Sequence, residues 1–122
     1  MADPRKNVLV IDDDAMILSS ISRQLRNEPL QLELEANPLE GIEKLTQKDY
    51  DLVLCDIKMK PISGLEVLSE IKDRHPNTPV IIISAFVDDQ LLETAQKLGC
   101  SAFLIKPVQR HALVEAIRRI LA

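Results

Sequence analysis

Five short apolar runs, each followed by a segment with helical periodicity, constrain the fold of this chain more than any other feature. The segment after the first run, for example, repeats Ile17, Ile21 and Leu25 at the spacing of one helical face. Strands that alternate with helices pair in parallel through right-handed crossovers. The pattern therefore predicts an α/β fold, with a doubly wound, five-stranded parallel sheet flanked by five helices.

Capping and turn residues mark the boundaries of these elements. Asp14 stands at a helix N-cap, Pro38 suits a first helical turn, and Gly99 suits a helix C-terminus. The predicted strands are residues 7–11, 30–36, 52–56, 80–84 and 102–105, and the predicted helices are residues 15–27, 38–47, 64–74, 88–98 and 110–121. The second strand alternates apolar and polar residues, which predicts an edge strand, whereas the fourth is continuously apolar, as in a strand covered on both faces.

Composition narrows the classes of protein that fit this pattern. A length of 122 residues predicts a single domain over residues 1–122, with its core in about 6–121, and an aromatic content of 2% predicts an aliphatic core. The net charge of -4 argues against direct nucleic-acid binding by this segment. No apolar run reaches the length of a membrane span, and the first residues lack the apolar stretch of a secretory signal. We therefore expect a cytoplasmic chain without membrane contact.

Polar residues end several of the predicted strands. Asp12 and Asp13 follow the first strand, Asp56 ends the third, Ser84 the fourth, and Lys106 follows the fifth. Ligands of doubly wound sheets bind in the crevice beyond the carboxyl ends of the strands. Carboxylates that converge there repel one another unless a cation lies among them, and Mg²⁺ prefers such oxygen ligands. The strand ends therefore predict a magnesium site into which the Asp56 carboxylate points.

Four motifs in order resemble the receiver domain of two-component response regulators. They are the Asp12-Asp13 pair after VLVI, Asp56 within DLVLCDIKM, Ser84 after VIII, and Lys106 after AFLI. The resemblance covers nearly the whole chain. It implies a flavodoxin-like, chemotaxis-regulator-like fold with strand order 2-1-3-4-5. It also implies a phosphoprotein that acts as a signalling switch in a phosphorelay rather than as an enzyme.

By this resemblance, Asp56 is the phosphoacceptor, which takes a phosphoryl group from a sensor histidine kinase or a phosphotransfer protein. Asp12, Asp13 and Asp56 would hold Mg²⁺, with Mn²⁺ as a substitute, and the backbone carbonyl of Lys58 would complete the protein ligands. A carboxylate is a competent nucleophile toward phosphorus, and phosphoryl transfer is catalysed mainly by positioning and charge stabilisation. The implied chemistry is therefore consistent with the residues present.

The resemblance also implies how phosphorylation would be transmitted. Lys106 would stabilise the phosphoryl group, the Lys106–Pro107 peptide bond would be cis, and the Ser84 hydroxyl would bind a phosphoryl oxygen. Phe103 would act with Ser84 as the switch residue. The fourth helix, fifth strand and fifth helix would form the output face, through which the chain could form a homodimer.

The chain departs from the usual receiver pattern beside the acceptor. Lys60 stands where receivers commonly have proline, and Pro61 follows one place later. The Lys58 side chain either reaches the phosphoryl group, where it would modulate dephosphorylation, or lies in solvent. Phe86, a second candidate modulator, is either an exposed contact or a loop anchor. Phe103 replaces the Tyr or His of many receivers, so it is either a switch residue or an ordinary core side chain.

Three other functions are weighed against this interpretation. A phosphohydrolase of the haloacid-dehalogenase type needs a second acid two places after its nucleophile, where this chain has Lys58. A flavodoxin-like FMN module needs free N–H groups after the first strand, where three aspartates would repel phosphate. A scaffold that has lost phosphorylation is the third alternative, although every reactive position is filled.

Overall fold

The computed structural model describes residues 4–85 and 87–122, and strands and helices alternate along them as predicted. The strands are β1 (Lys6–Ile11), β2 (Leu30–Glu35), β3 (Leu52–Asp56), β4 (Val80–Ser84) and β5 (Ala102–Ile105). The helices are α1 (Ala15–Gln24), α2 (Pro38–Gln47), α3 (Gly64–Arg74), α4 (Asp89–Lys97) and α5 (Arg110–Leu121). The strands form one parallel sheet in the order β2-β1-β3-β4-β5. The predicted fold class and strand order are confirmed.

Alternate residues of the central strands face two separate layers of helices. On one side Val10 and Leu54 pack with side chains of α1 and α5, such as Leu113. On the other side Ile11 and Cys55 pack with side chains of α2 and α3. Every residue of β3 and β4 is buried, as expected for strands covered on both faces. Among the described residues, no helix is long and apolar enough to cross a membrane.

The element boundaries differ from the prediction by a few residues, chiefly at the end of α1. Apolar periodicity runs to Leu25, which is buried, but the helix ends at Gln24. The chain then turns toward β2, and the Glu28 amide donates to the Leu25 carbonyl at 3.0 Å. Asp14 caps α1 as predicted, with its side chain accepting from the Met16 amide. Side-chain periodicity reports burial, and it therefore continues past the last helical hydrogen bond.

The strand β2 lies at the edge of the sheet, as its alternating pattern predicted. Its Glu33 carboxylate accepts a hydrogen bond of 2.5 Å from the Tyr50 hydroxyl and pairs with the Lys48 ammonium at 2.6 Å. The Lys48 ammonium also lies 5.1 Å from the centre of the Tyr50 ring. Hydrogen bonds from Lys48 and Tyr50 lower the pKa of Glu33. These contacts connect the edge strand to the segment that leads into β3.

The Tyr50→Phe substitution is expected to lower the free energy of unfolding by about 1 kcal/mol at pH 7. Because the folded state lowers the pKa of Glu33 from 4.5, its contribution is present above that pH and is lost as the pH falls through the folded pKa. The difference between the two proteins should therefore shrink between pH 7 and pH 3, as measured by urea unfolding. An equal difference at both pH values would contradict a role for the ionised Glu33 carboxylate.

Candidate functional site

Three carboxylates meet at the carboxyl ends of β1 and β3. One oxygen from each of Asp12, Asp13 and Asp56 lies within 4.8 Å of the others. Asp12 is 2% exposed and Asp56 is 6% exposed, whereas Asp13 lies at the surface. The parallel register places Ile11 beside Cys55, so the residues that follow them lie at the same edge of the sheet. The predicted convergence of the acidic residues is therefore present.

Lys106, which follows β5, reaches across β4 into this acidic cluster. Its ammonium lies 3.0 Å from Oδ2 of Asp12 and 3.2 Å from Oδ1 of Asp56. Its backbone amide donates to the Ser84 carbonyl at 2.8 Å, which continues the pairing of β4 with β5. The other oxygen of Asp12, Oδ1, accepts from the Asp14 amide at 2.9 Å. The lysine thus bridges two buried carboxylates that would otherwise repel each other.

The pKa shifts follow from this arrangement. Burial raises the pKa of the Asp56 carboxyl, the charge of Asp12 raises it further, and Lys106 opposes both effects. Burial by itself lowers the pKa of the Lys106 ammonium, but the hydrogen bond and charge of Asp12, together with the charge of Asp56, raise it overall. The site therefore keeps Lys106 protonated. It also leaves Asp56 in a position where additional positive charge would stabilise its ionised form.

The remaining predicted residues surround this cluster at different depths. Ser84 is 1% exposed at the end of β4. Phe103 is partly buried and packs against the layer formed by α2 and α3. The Lys106–Pro107 peptide bond is cis, and the Lys60–Pro61 bond is also cis. Phe86 lies outside the described residues.

The loop after Asp56 is held tightly by a close approach of backbone to backbone. The Gly64 amide donates to the Ile57 carbonyl at 2.7 Å. A Cβ atom on Gly64 would lie 1.9 Å from the carbonyl oxygen of Asp56, so no larger residue fits without a shift of the backbone. Sequence reasoning placed Gly64 only as the first residue of a helix. A contact between residues that distant in the chain leaves no local pattern that could have revealed it.

An open cleft of about 440 Å³ lies beside the acidic cluster. Its lining includes Asp13, the buried Met59, and the exposed Lys58 and Lys60. The two lysines that depart from the usual receiver pattern therefore border the entrance to the site. Their charges make that entrance less negative than the acidic cluster behind it.

The donor set at this edge of the sheet is consistent with a hard divalent cation. All three nearby ligand groups are carboxylates, and the structure groups no histidine or cysteine with them among the described residues. Mg²⁺ is typically held by one or two carboxylates and retains several water molecules. Asp13 faces solvent and could bind the ion from the open side, while the two buried carboxylates lie behind it. The acidic cluster could therefore hold a metal ion.

Known proteins resemble this chain in sequence along its length. Residues 8–118 match the family described as the response regulator receiver domain. The chain is 35% identical over 122 residues to the transcriptional regulatory protein ZraR of Klebsiella oxytoca, an alignment that covers all of this chain. The alignment covers 28% of ZraR, so the chain spans little more than a quarter of that protein.

Solved structures agree with the family match. A CheY-like response regulator receiver domain protein from Methanospirillum hungatei is 29% identical, with a TM-score of 0.91 over 96% of this chain and 94% of that one. The CheX-CheY-BeF3-Mg²⁺ complex from Borrelia burgdorferi contains a chain that is 26% identical, with a TM-score of 0.90 over 96% of this chain and 90% of that one. The sequence match, the strand order and the acidic cluster agree, and the chain belongs to the response regulator receiver domain family.

Proposed function

We propose that this chain accepts a phosphoryl group on Asp56 and that the modification changes its output surface. The observation that carries the proposal is the bridge from Lys106 to Asp12 and Asp56 within a cluster of three carboxylates. The bridge places one fixed cation beside the candidate nucleophile and leaves an all-oxygen site for a second cation. A site that served only to stabilise the fold would not need a third, exposed carboxylate beside the buried pair.

Receiver domains of response regulators are signalling switches of two-component systems, and they interact with histidine kinases or phosphotransfer proteins. For this chain, we propose that the phosphoryl donor is a phosphohistidine of such a protein. In the transfer, an Asp56 carboxylate oxygen would form a bond to phosphorus. The bond from phosphorus to the donor nitrogen would break, leaving its electron pair on the imidazole, which takes up a proton from solvent if it leaves as the anion.

The residues of this chain would divide the work of the transfer. Asp12, Asp13, Asp56 and the backbone carbonyl of Lys58 would hold Mg²⁺ or Mn²⁺, which supplies charge neutralisation when it is bound. The Lys106 ammonium would shift its contact from the Asp56 carboxylate to a phosphoryl oxygen. Because it already lies 3.2 Å from Oδ1 of Asp56, a small movement would suffice. The presence of both Mg²⁺ and BeF3 with the Borrelia burgdorferi CheY supports this use of the related site.

Transmission to the surface would begin at the end of β4. The Ser84 hydroxyl would bind a phosphoryl oxygen, and Phe103 on the neighbouring strand would adjust its packing. The output face would comprise α4, β5 and α5, where Ile105 is an exposed apolar side chain. We propose that a homodimer forms through this face. Some charges there are already engaged within the chain, since Glu93 pairs with Lys97 at 3.0 Å.

The experiment that tests this proposal is intact-mass measurement after incubation with acetyl phosphate. With Mg²⁺ present we expect a single phosphoryl adduct, formed as the acyl phosphate bond to phosphorus breaks and acetate leaves. The adduct should be absent in EDTA and absent from the Asp56→Asn variant, whose amide is not a competent nucleophile. An adduct of equal yield in that variant, or in EDTA, would contradict the proposal.

A further inference from the structure

A shallow groove of about 460 Å³ runs between α2 and α3, on a surface that the proposed phosphorylation does not use. Its apolar lining comes from Leu39 and Ile42 of α2 and from Ile62, which lies in the loop after Asp56. Leu39 is 50% exposed and Ile42 and Ile62 are partly buried. Neighbouring apolar side chains left open to water in this way are typical of a surface that binds a partner.

The polar border of this groove carries mainly negative charge. Glu66 and Glu70 of α3 line it, and Arg74 at its far end pairs with Glu70 at 3.2 Å. The Glu66 carboxylate has no cationic partner among the described residues. The neighbouring helix α2 adds the exposed Glu40 and Glu43 to the same side of the molecule.

The lysines of these two helices do not neutralise the border, because both are engaged elsewhere. Lys44 of α2 pairs with Glu35 of β2 at 3.2 Å. Lys72 of α3 donates to the Thr78 carbonyl at 2.7 Å, beyond the end of its helix. The groove therefore combines an apolar floor with carboxylates whose charge is left for a partner to complement.

We infer that the α2–α3 groove is a docking site for an amphipathic helix of a partner protein, one with an apolar stripe flanked by Lys or Arg. Helices that bind in grooves place side chains at positions i, i+3 or i+4, and i+7 into the apolar floor. The 11 residues of α3 make the groove about 16 Å long, which matches roughly three turns of a bound helix. The basic flanks would pair with Glu66 and its neighbours.

Ile62 gives this groove a direct connection to the loop that carries the acceptor. The loop is anchored at both ends, since the Gly64 amide bonds to the Ile57 carbonyl next to Asp56. A partner seated on Ile62 would therefore contact a segment whose position is linked to the site. The groove also lies apart from α5, which packs on the opposite face of the sheet.

The docking site is tested with a peptide of about 14 residues, carrying leucines at i, i+3 and i+7 and lysines on both flanks, added to isotope-labelled protein. Amide chemical-shift changes are expected along α2, α3 and the loop 57–63. The Leu39→Ser variant should bind the peptide about fivefold more weakly, because half of an exposed leucine is no longer covered. The Glu66→Lys variant should also bind more weakly, and added salt should reduce binding by the native chain.

Matched controls separate this groove from general attraction of a basic peptide to an acidic protein. Leu34→Ser changes an exposed leucine on the edge strand, and Glu115→Lys changes an exposed glutamate on α5, so neither should alter the affinity. A peptide of the same composition in scrambled order should not bind. Equal binding of the scrambled peptide, shifts confined to α4 and α5, or no effect of Leu39→Ser would overturn the proposal. A dimer of this chain that Leu39→Ser abolishes would also overturn it, since the occupant would then be a second copy.

Discussion

The Gly64→Ala variant is expected to lose about 3 kcal/mol of unfolding free energy, a loss at the upper end for overpacking. The added Cβ would lie 1.9 Å from the carbonyl oxygen of Asp56 and 2.7 Å from Cα of Ile57. Both contacts are with backbone atoms of a buried strand end, which cannot rotate away as a side chain can. Either α3 or the loop before it must move. Urea unfolding followed by circular dichroism measures the loss.

The Gly41→Ala variant provides the matched control, because it also adds a methyl group to a buried helical glycine. Its Cβ would lie 2.6 Å from Cδ1 of Ile11, the far end of a flexible side chain. Rotation of that side chain can relieve the contact, and alanine is favoured over glycine in a helix by about 1 kcal/mol. The unfolding free energy should therefore change much less than in Gly64→Ala. Equal losses in the two variants would contradict the backbone contact as the cause.

The Lys106→Met variant is expected to be less stable by about 2 kcal/mol in EDTA, because removal of one member of a buried ion pair leaves the other charges unpaired. Its ammonium bridges Asp12 and Asp56, and methionine fills similar space without charge. Added Mg²⁺ should restore more stability to this variant than to the native chain, since the ion no longer competes with the lysine for the same carboxylates. Urea unfolding in EDTA and in MgCl₂ provides the comparison.

The Lys97→Met variant is the control for loss of a lysine elsewhere. Lys97 pairs with Glu93 within α4, and both side chains are well exposed. Exposed pairs of this kind contribute little to stability, so we expect a change within about 0.5 kcal/mol and no added response to Mg²⁺. A similar Mg²⁺ response in the Lys106→Met and Lys97→Met variants would contradict the role of the bridge.

Most of the fold could be predicted because local patterns report burial well. The alternation of apolar runs and helical segments predicted the parallel sheet, and the uninterrupted apolar run of β4 matches a strand buried on both faces. The edge position of β2 followed from its polar face. The strand order was different in kind, since it came from the family resemblance.

The residues of the acidic cluster could also be predicted, because the ends of parallel strands must meet at one edge. Their connections could not. Whether Lys106 bridges two carboxylates or extends into solvent depends on the distance from β5 to β1, which no local pattern encodes. The close approach at Gly64 and the groove at Leu39 were missed for the same reason. Each depends on which segments pack side by side.

Locating the phosphoryl group on the chain tests the central proposal most directly. After incubation with acetyl phosphate and Mg²⁺, borohydride reduction converts an aspartyl phosphate to homoserine, and peptide mass spectrometry identifies the altered position. We predict homoserine at position 56, in the peptide that ends β3, and unmodified aspartate at Asp12 and Asp13. Homoserine at either of those positions, with Asp56 intact, would contradict the assignment of the phosphoacceptor.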